Sequence, residues 1–345
     1  MRTRLVVVAA FLALAAVPAW IAWHTGLVPG PTRASAETAG VLTTSSAAVT
    51  PLVWPKDPLS LAAGDDKVYW EQRSPDGAVT GLWYYDVTSG SVERLLSRQS
   101  LGRSSGLPVA AGDIVAWTSW AGRRGAGAST VQAYDGLSSR RWQVASTGST
   151  PAATAGIVVW TEPGASARGG DTIHGVDSLT DEEWAVDAGG RVRALAASGR
   201  RLAWITAGKT GGVWSGSLGS AARHRLAARG AAVAVDRDRI VWVTPAGRHS
   251  SAVVSWDRSS QRATVLCRPA GASSALTLDG RYAAWVTTPS AGGPQVWVYD
   301  FGLGKAYRVS TAAGRQESPV IVAGSVYWAG DRTGHWELYS RSLQR

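Results

Sequence analysis

An all-β fold, a seven-bladed β-propeller with four-stranded antiparallel blades, is what the 345-residue chain predicts, on three observations. A short apolar run closes on tryptophan at Trp70, Trp117, Trp160, Trp204, Trp242, Trp285 and Trp328, at separations of 38 to 47 residues. One propeller blade uses roughly 40–45 residues. The repeated segments are short, β-branched and aromatic, and glycine interrupts them every few residues, with 40 Gly in the chain. Such a texture excludes a helical repeat of the same length. The seventh unit stops soon after Trp336-Glu337-Leu338-Tyr339, too early for a fourth strand. An open edge of that kind invites pairing with another chain, so an N-terminal strand is expected to close the ring.

Within each unit the elements follow in order. Strand a is a short run such as Pro319-Val320-Ile321-Val322, ended by a turn glycine at Gly64, Gly112, Gly156, Gly199, Gly280 or Gly324. The fifth unit puts Asp236-Arg237-Asp238 there instead, a turn that Asp also makes. Strand b runs to the Trp. Strand c ends on Asp86, Asp135, Asp177, Asp257 or Asp300, and an Asp there accepts N–H bonds in the turn to strand d. The repeated Trp side chains are expected to fill the wedges between blades, which diverge outward. The segment Thr50-Pro51-Leu52-Val53-Trp54 is spaced from the first unit as a strand d should be, and is the expected closing strand. Residues 49–345 then form one ring.

Ahead of the ring, Arg2 and Arg4 precede an uncharged apolar run from Leu5 to Trp23. A helix of that length, at about 1.5 Å per residue, crosses a bilayer. Residues 1–23 are therefore a transmembrane anchor or a signal segment: Trp20 and Trp23 suit an anchor, while Ala34-Ser35-Ala36 suits cleavage. The basic N-terminal end stays in the cytoplasm by the positive-inside rule, which sends the ring across the membrane. Residues 24–48, rich in Gly, Pro, Ser, Thr and Ala, read as a flexible tether. The single Cys267 excludes disulfides and reads as a strand residue rather than a nucleophile.

The last unit carries the most specific family signal. Its run Gln316-Glu317-Ser318-Pro319-Val320-Ile321-Val322-Ala323-Gly324-Ser325-Val326-Tyr327-Trp328, followed by Asp331-Arg332-Thr333-Gly334 and Leu338-Tyr339, resembles the blade pattern of TolB-like (WD-like) propellers of the exported bacterial type. Asp331 and Arg332 are adjacent here where the family spaces them, and other units match less well. The resemblance covers about residues 55–345. It implies an exported or surface-attached binding module.

Chemical motifs are sparse. The sequence has no H-E-x-x-H, no P-loop and no EF-hand loop. Apart from His24 near the apolar run, its histidines His174, His224, His249 and His335 fall in four different blades, so neither a metal nor a cofactor is expected. Charge is more informative, with 35 Lys and Arg against 25 Asp and Glu. In a propeller the b–c and d–a connections share one face, and most of the basic excess falls on it. Candidate binding residues are Arg73, Arg123, Arg124, Arg168, Lys209, Arg248 and Arg332, all placed in b–c connections. Ordinary solvated charge accounts for such a face; an anion-binding surface does so equally. The leading expectation is thus a membrane-tethered, extracytoplasmic, non-enzymatic scaffold that binds an envelope protein or anionic polymer, and not nucleic acid. The alternative is a secreted or anchored hydrolase or lyase acting on saccharide or peptide at the central funnel. Two or three converging acids with a His or a bound metal in the funnel would favour the enzyme, and walls of Ala, Ser and Val the scaffold.

Overall fold

The computed structural model describes residues 40–41, 47–51, 60–74, 79–101, 104–105, 107–120, 129–164, 169–208, 211–247, 250–310, 314–331 and 336–343. Their strands form seven antiparallel blades in sequence order. The third shows the plan: strand a Ser149–Thr154, b Ile157–Glu162, c Thr172–Asp177 and d Glu183–Asp187. The second blade has an unforeseen extra strand, Ser104–Ser105, which pairs with Ser119 and Trp120 beside the main strand a, Val109–Ala111. On the sixth, Gly40–Val41 lies parallel to strand d, Lys305–Arg308. On the seventh, Ala47–Pro51 lies antiparallel to strand c, Trp336–Ser342, with Ala47 opposite Ser340 and Pro51 opposite Glu337. Leu52–Trp54, the segment expected there, lies outside the described residues, as do residues 1–23 and most of the tether. Among the described residues no helix is long and apolar enough to cross a membrane.

The core is a ring of seven wedges, each shared by two blades. Every strand-b Trp faces the preceding blade. Trp70 packs with Val320, Val322 and Leu338 of the seventh blade, Trp204 with Ile173, Trp184 and Val186 of the third, and Trp285 with Val241, Val243 and Val253 of the fifth. Alternation along a strand sets this direction, because the residue one place earlier turns to the opposite face. Trp70, Trp117, Trp204, Trp285 and Trp328 are among the largest fully buried side chains, as the wedge argument requires.

The a–b and c–d turns share one face of the ring and differ in chemistry. At the c–d turns the strand-c aspartates do what their position predicts. Asp86 accepts from the N–H groups of Thr88 and Ser89, Asp177 from Leu179 and Thr180, and Asp300 from Gly302 and Leu303 while also gripping the Arg281 fork at 3.0 and 2.9 Å. At the a–b turns glycine takes positive φ at Gly112, Gly156, Gly199, Gly280 and Gly324. The fifth blade substitutes Asp236, whose Oδ1 accepts from Asp238 and Arg239 at 2.7 Å.

Candidate functional site

The seven strands a line a central channel with a cavity of about 650 Å³. They do so because strand a is the innermost strand of each blade, and its small residues keep the axis open. Ala63, Ala110, Ala153, Ala197, Val235 and Leu278 are typical of the wall. Its charged lining residues are three carboxylates, Asp65, Asp236 and Asp279, all at the a–b end. No described Lys, Arg or His lines the channel.

Asp236 and Asp279 stand on neighbouring blades. The turn of the fifth blade is tied to that of the sixth by Arg239, whose Nη1 donates to the Gly280 carbonyl at 3.0 Å while its guanidinium carbon lies 4.4 Å from the Phe301 ring centroid. Oδ1 of Asp236 is spent on its turn, but Oδ2 is buried with no hydrogen-bond partner among the described residues. Burial pushes the Asp236 carboxyl up, against the turn N–H bonds and Arg239 that pull it down. The Asp279 residue is exposed at its turn. Its carboxyl is nevertheless crowded on the channel side, and this burial, followed by the charge of Asp236, pushes it up as well. Both causes penalise the ionised form.

The strand-c aspartates on the same face show the contrast. Hydrogen bonds from Ser259 and Ser260 hold Asp257 down to about 2, and the carboxyls of Asp86 and Asp177 are also lowered, first by their turn N–H groups. Those carboxylates are consumed by their turns, and the channel carboxylates are not. Nothing in the sequence separates the two sets. Leu278-Asp279-Gly280 reads as a turn, and only the folded ring shows that its carboxylate points away from the available N–H groups.

Of the seven basic residues expected to bind, Arg73 alone lies within the described residues. Arg73 is the last residue of strand Lys67–Arg73 rather than a loop tip, and it pairs with Glu71 at 2.7 Å. Arg123, Arg124, Arg168, Lys209, Arg248 and Arg332 lie outside the described residues. Of the histidines, His174 pairs with Glu162 at 3.2 Å and stacks on Trp160, His224 is exposed, and His249 and His335 lie outside the described residues. Burial pushes the Cys267 thiol up to about 12, so it is no nucleophile at neutral pH.

The chain thus presents a seven-bladed propeller with a carboxylate-bearing channel. No family model and no curated protein sequence matches it. Solved structures do. A prolyl endopeptidase structure, from a study of inter-domain dynamics in two such enzymes, matches with a TM-score of 0.59 and 16% identity over 84% of this chain and 50% of its own. The propeller domain of the trilobed protease from Pyrococcus furiosus, described as having an open velcro topology, matches with a TM-score of 0.59 and 8% identity over 84% of this chain and 99% of its own. An oligogalacturonate lyase in complex with manganese matches with a TM-score of 0.58 and 12% identity over 89% and 99%. The chain spans about half the length of the prolyl endopeptidase it matches. TolB from Acinetobacter baumannii matches with a TM-score of 0.46 and 14% identity over 82% of this chain and 79% of its own, a likeness too slight to carry an argument.

These neighbours correct the expectation of a non-enzymatic scaffold. The chain's likenesses are to a peptidase, a protease propeller and a lyase, and the alternative reading, an enzyme acting at the funnel, is a proposal. The scaffold reading had no view of the channel, where Asp65, Asp236 and Asp279 stand at the mouth of walls made mostly of small apolar residues. At such identities the likeness itself shows the fold. Among the described residues no three His, Cys, Asp or Glu side chains come together to hold a metal ion, so the donor set does not fit the manganese of the lyase structure.

Proposed function

We propose that this chain is a hydrolase or lyase that acts on a saccharide or peptide at the a–b mouth of the channel, with Asp236 and Asp279 as its acid and base. The observation that carries this reading is the pair itself: two carboxyls on adjacent blades, both raised by burial, one raised further by the other's charge, at the rim of a ligand-sized cavity. The second of such a pair to ionise does so against the charge of the first, which favours a neutral carboxyl beside an ionised one. The ionised member takes a proton from an attacking water, or from a carbon beside the bond to be broken. The protonated member gives its proton to the leaving group. Arg239 is a positioning residue, setting one turn against the other.

The test is turnover of a panel of peptides and oligosaccharides by the full chain and by Asp236→Asn and Asp279→Asn. Each variant should lose on the order of 10²–10⁴-fold in kcat with its fold retained. Turnover equal to the parent in Asp279→Asn refutes the assignment, since that side chain makes no hydrogen bond among the described residues.

The TolB-like resemblance, closure of the ring by the N-terminal strand, and an extracytoplasmic ring behind the 5–23 run are part of the same reading, supported by the residues that suggested them. Protease added to spheroplasts should digest the ring; protection of the ring would refute that orientation.

A further inference from the structure

Three features of the channel bear on what it admits. The wall offers little to a sugar. Ala63, Ala110, Ala153, Val235 and Leu278 have no polar side-chain atom, and the hydroxyls in the lining are few, among them Thr154, Ser198 and Thr277. The Thr154 hydroxyl already accepts the Gly199 N–H at 2.6 Å. Saccharide hydroxyls moved into such a wall would lose their water without gaining partners, at about 1–3 kcal/mol for each group left unpaired. Small apolar side chains of a peptide meet no such penalty, and only its backbone amides share it.

The second feature is the placement of charge. Bases of the same face sit outboard and are committed: Lys67 to Asp66 at 2.9 Å, Arg200 to Glu182 at 3.0 Å, Arg281 to Asp300 at 2.9 Å. Inboard, Asp65, Asp236 and Asp279 have no ion pair among the described residues. Around Asp236 the nearby charges are Asp238, Arg239 and Arg201, and around Arg201 also Arg237 and Arg258. Around Asp65 they are Asp66, bound to Lys67, and Asp113 of the next blade. Low-dielectric walls ending in unpaired carboxylates focus negative potential into the channel, which draws in cations and repels polyanions.

The third is the seat of Asp65. Its blade turn is pressed on that of the second blade so closely that a Cβ on Gly64 would lie 2.7 Å from the Gly112 carbonyl, and a Cβ on Gly112 3.9 Å from Asp65 Oδ2. Asp65 therefore projects from a tightly seated turn and is spent on no described partner.

We infer that the channel takes a peptide by its free amino terminus, with Asp65 receiving the ammonium group and the apolar wall receiving the first side chains. The inference rests on the enzyme reading above and narrows its substrate. Asp65, on the first blade, holds the amino terminus at the same mouth where the Asp236–Asp279 pair stands on the fifth and sixth blades.

The experiment is calorimetric titration of the full chain with the tripeptide amide Ala-Ala-Ala-NH₂ and with its N-acetyl form. One charge-assisted contact of about 1.5–3 kcal/mol corresponds to a ten- to hundred-fold preference for the free amine. That preference should vanish in Asp65→Asn, whose exposed turn position leaves folding intact, and should shrink between low and about 0.15 M salt in the parent. Equal binding of the two peptides, absence of binding by both, a preference unchanged in Asp65→Asn, or selective binding of a glucosamine tetramer would each overturn it. Amine-selective binding without cleavage of any peptide would leave this inference standing and remove the enzyme reading. Cleavage of acetylated or saccharide substrates without amine selectivity would do the reverse.

Discussion

Trp285 tests whether the ring is held by its wedges. The side chain is fully buried between the fifth and sixth blades, against Val241, Val243 and Val253, and its Nε1–H donates to Thr287 Oγ1 at 3.0 Å. Thr287 belongs to a buried hydroxyl chain with Ser273 and Ser251 that ends on the Gly271 carbonyl. Replacing Trp285 by Ala removes the wedge from a site whose walls are β-strands of two blades and cannot collapse without breaking ladder pairing, so the cost should be in the range of about 3–5 kcal/mol found for such truncations. Domains of about 150–250 residues shift by roughly 2–4 °C per kcal/mol, and a longer ring lies at the lower end, giving a fall of about 6–10 °C in Tm. Trp142 is the control. It is half-buried on strand d, with the Arg140 guanidinium carbon 5.2 Å from its ring centroid, and its replacement by Ala should cost no more than about 1 kcal/mol. Thermal unfolding followed by near-UV circular dichroism and calorimetry measures both. A fall of under about 2 °C for Trp285→Ala, or one no larger than for Trp142→Ala, would refute the wedge account.

Acid should weaken the ring through its c–d turns. The folded pKa of Asp257 is depressed to about 2, so its contribution is present above the unfolded carboxylate value near 3.9 and is lost as pH falls toward 2. Urea midpoints measured from pH 5 to pH 2 should fall less steeply in Asp257→Asn than in the parent, and parallel slopes would remove the turn bonds as the cause.

Much of the architecture is legible in the sequence because a blade must solve the same packing problem seven times. Each strand b needs one large side chain on the face turned to the preceding blade, and a Trp recurs at that position in every unit. The turn aspartates are legible for a similar reason, since the geometry of a c–d turn brings two N–H groups to a carboxylate at that position regardless of what lies elsewhere. Ser104–Ser105 was not legible, because two serines carry no strand pattern and pair only through where the backbone passes.

The channel carboxylates lie beyond sequence reasoning for a deeper reason. Asp257 and Asp279 are both strand-end aspartates on the same face of the ring, and both precede a tight turn. One meets the hydroxyls of Ser259 and Ser260 and is held ionised. The other meets no described donor, faces Asp236 across a blade boundary and is pushed toward its protonated form. What differs is the company a long-range fold provides. In the fifth blade, Asp in place of the turn glycine preserves the turn through Oδ1 and leaves Oδ2 facing the interior unspent. Glycine at that position would remove the acceptor of two turn N–H bonds and also the charge that, after burial, raises Asp279. The departure from the repeat is therefore where the ring acquires a second carboxylate beside the first.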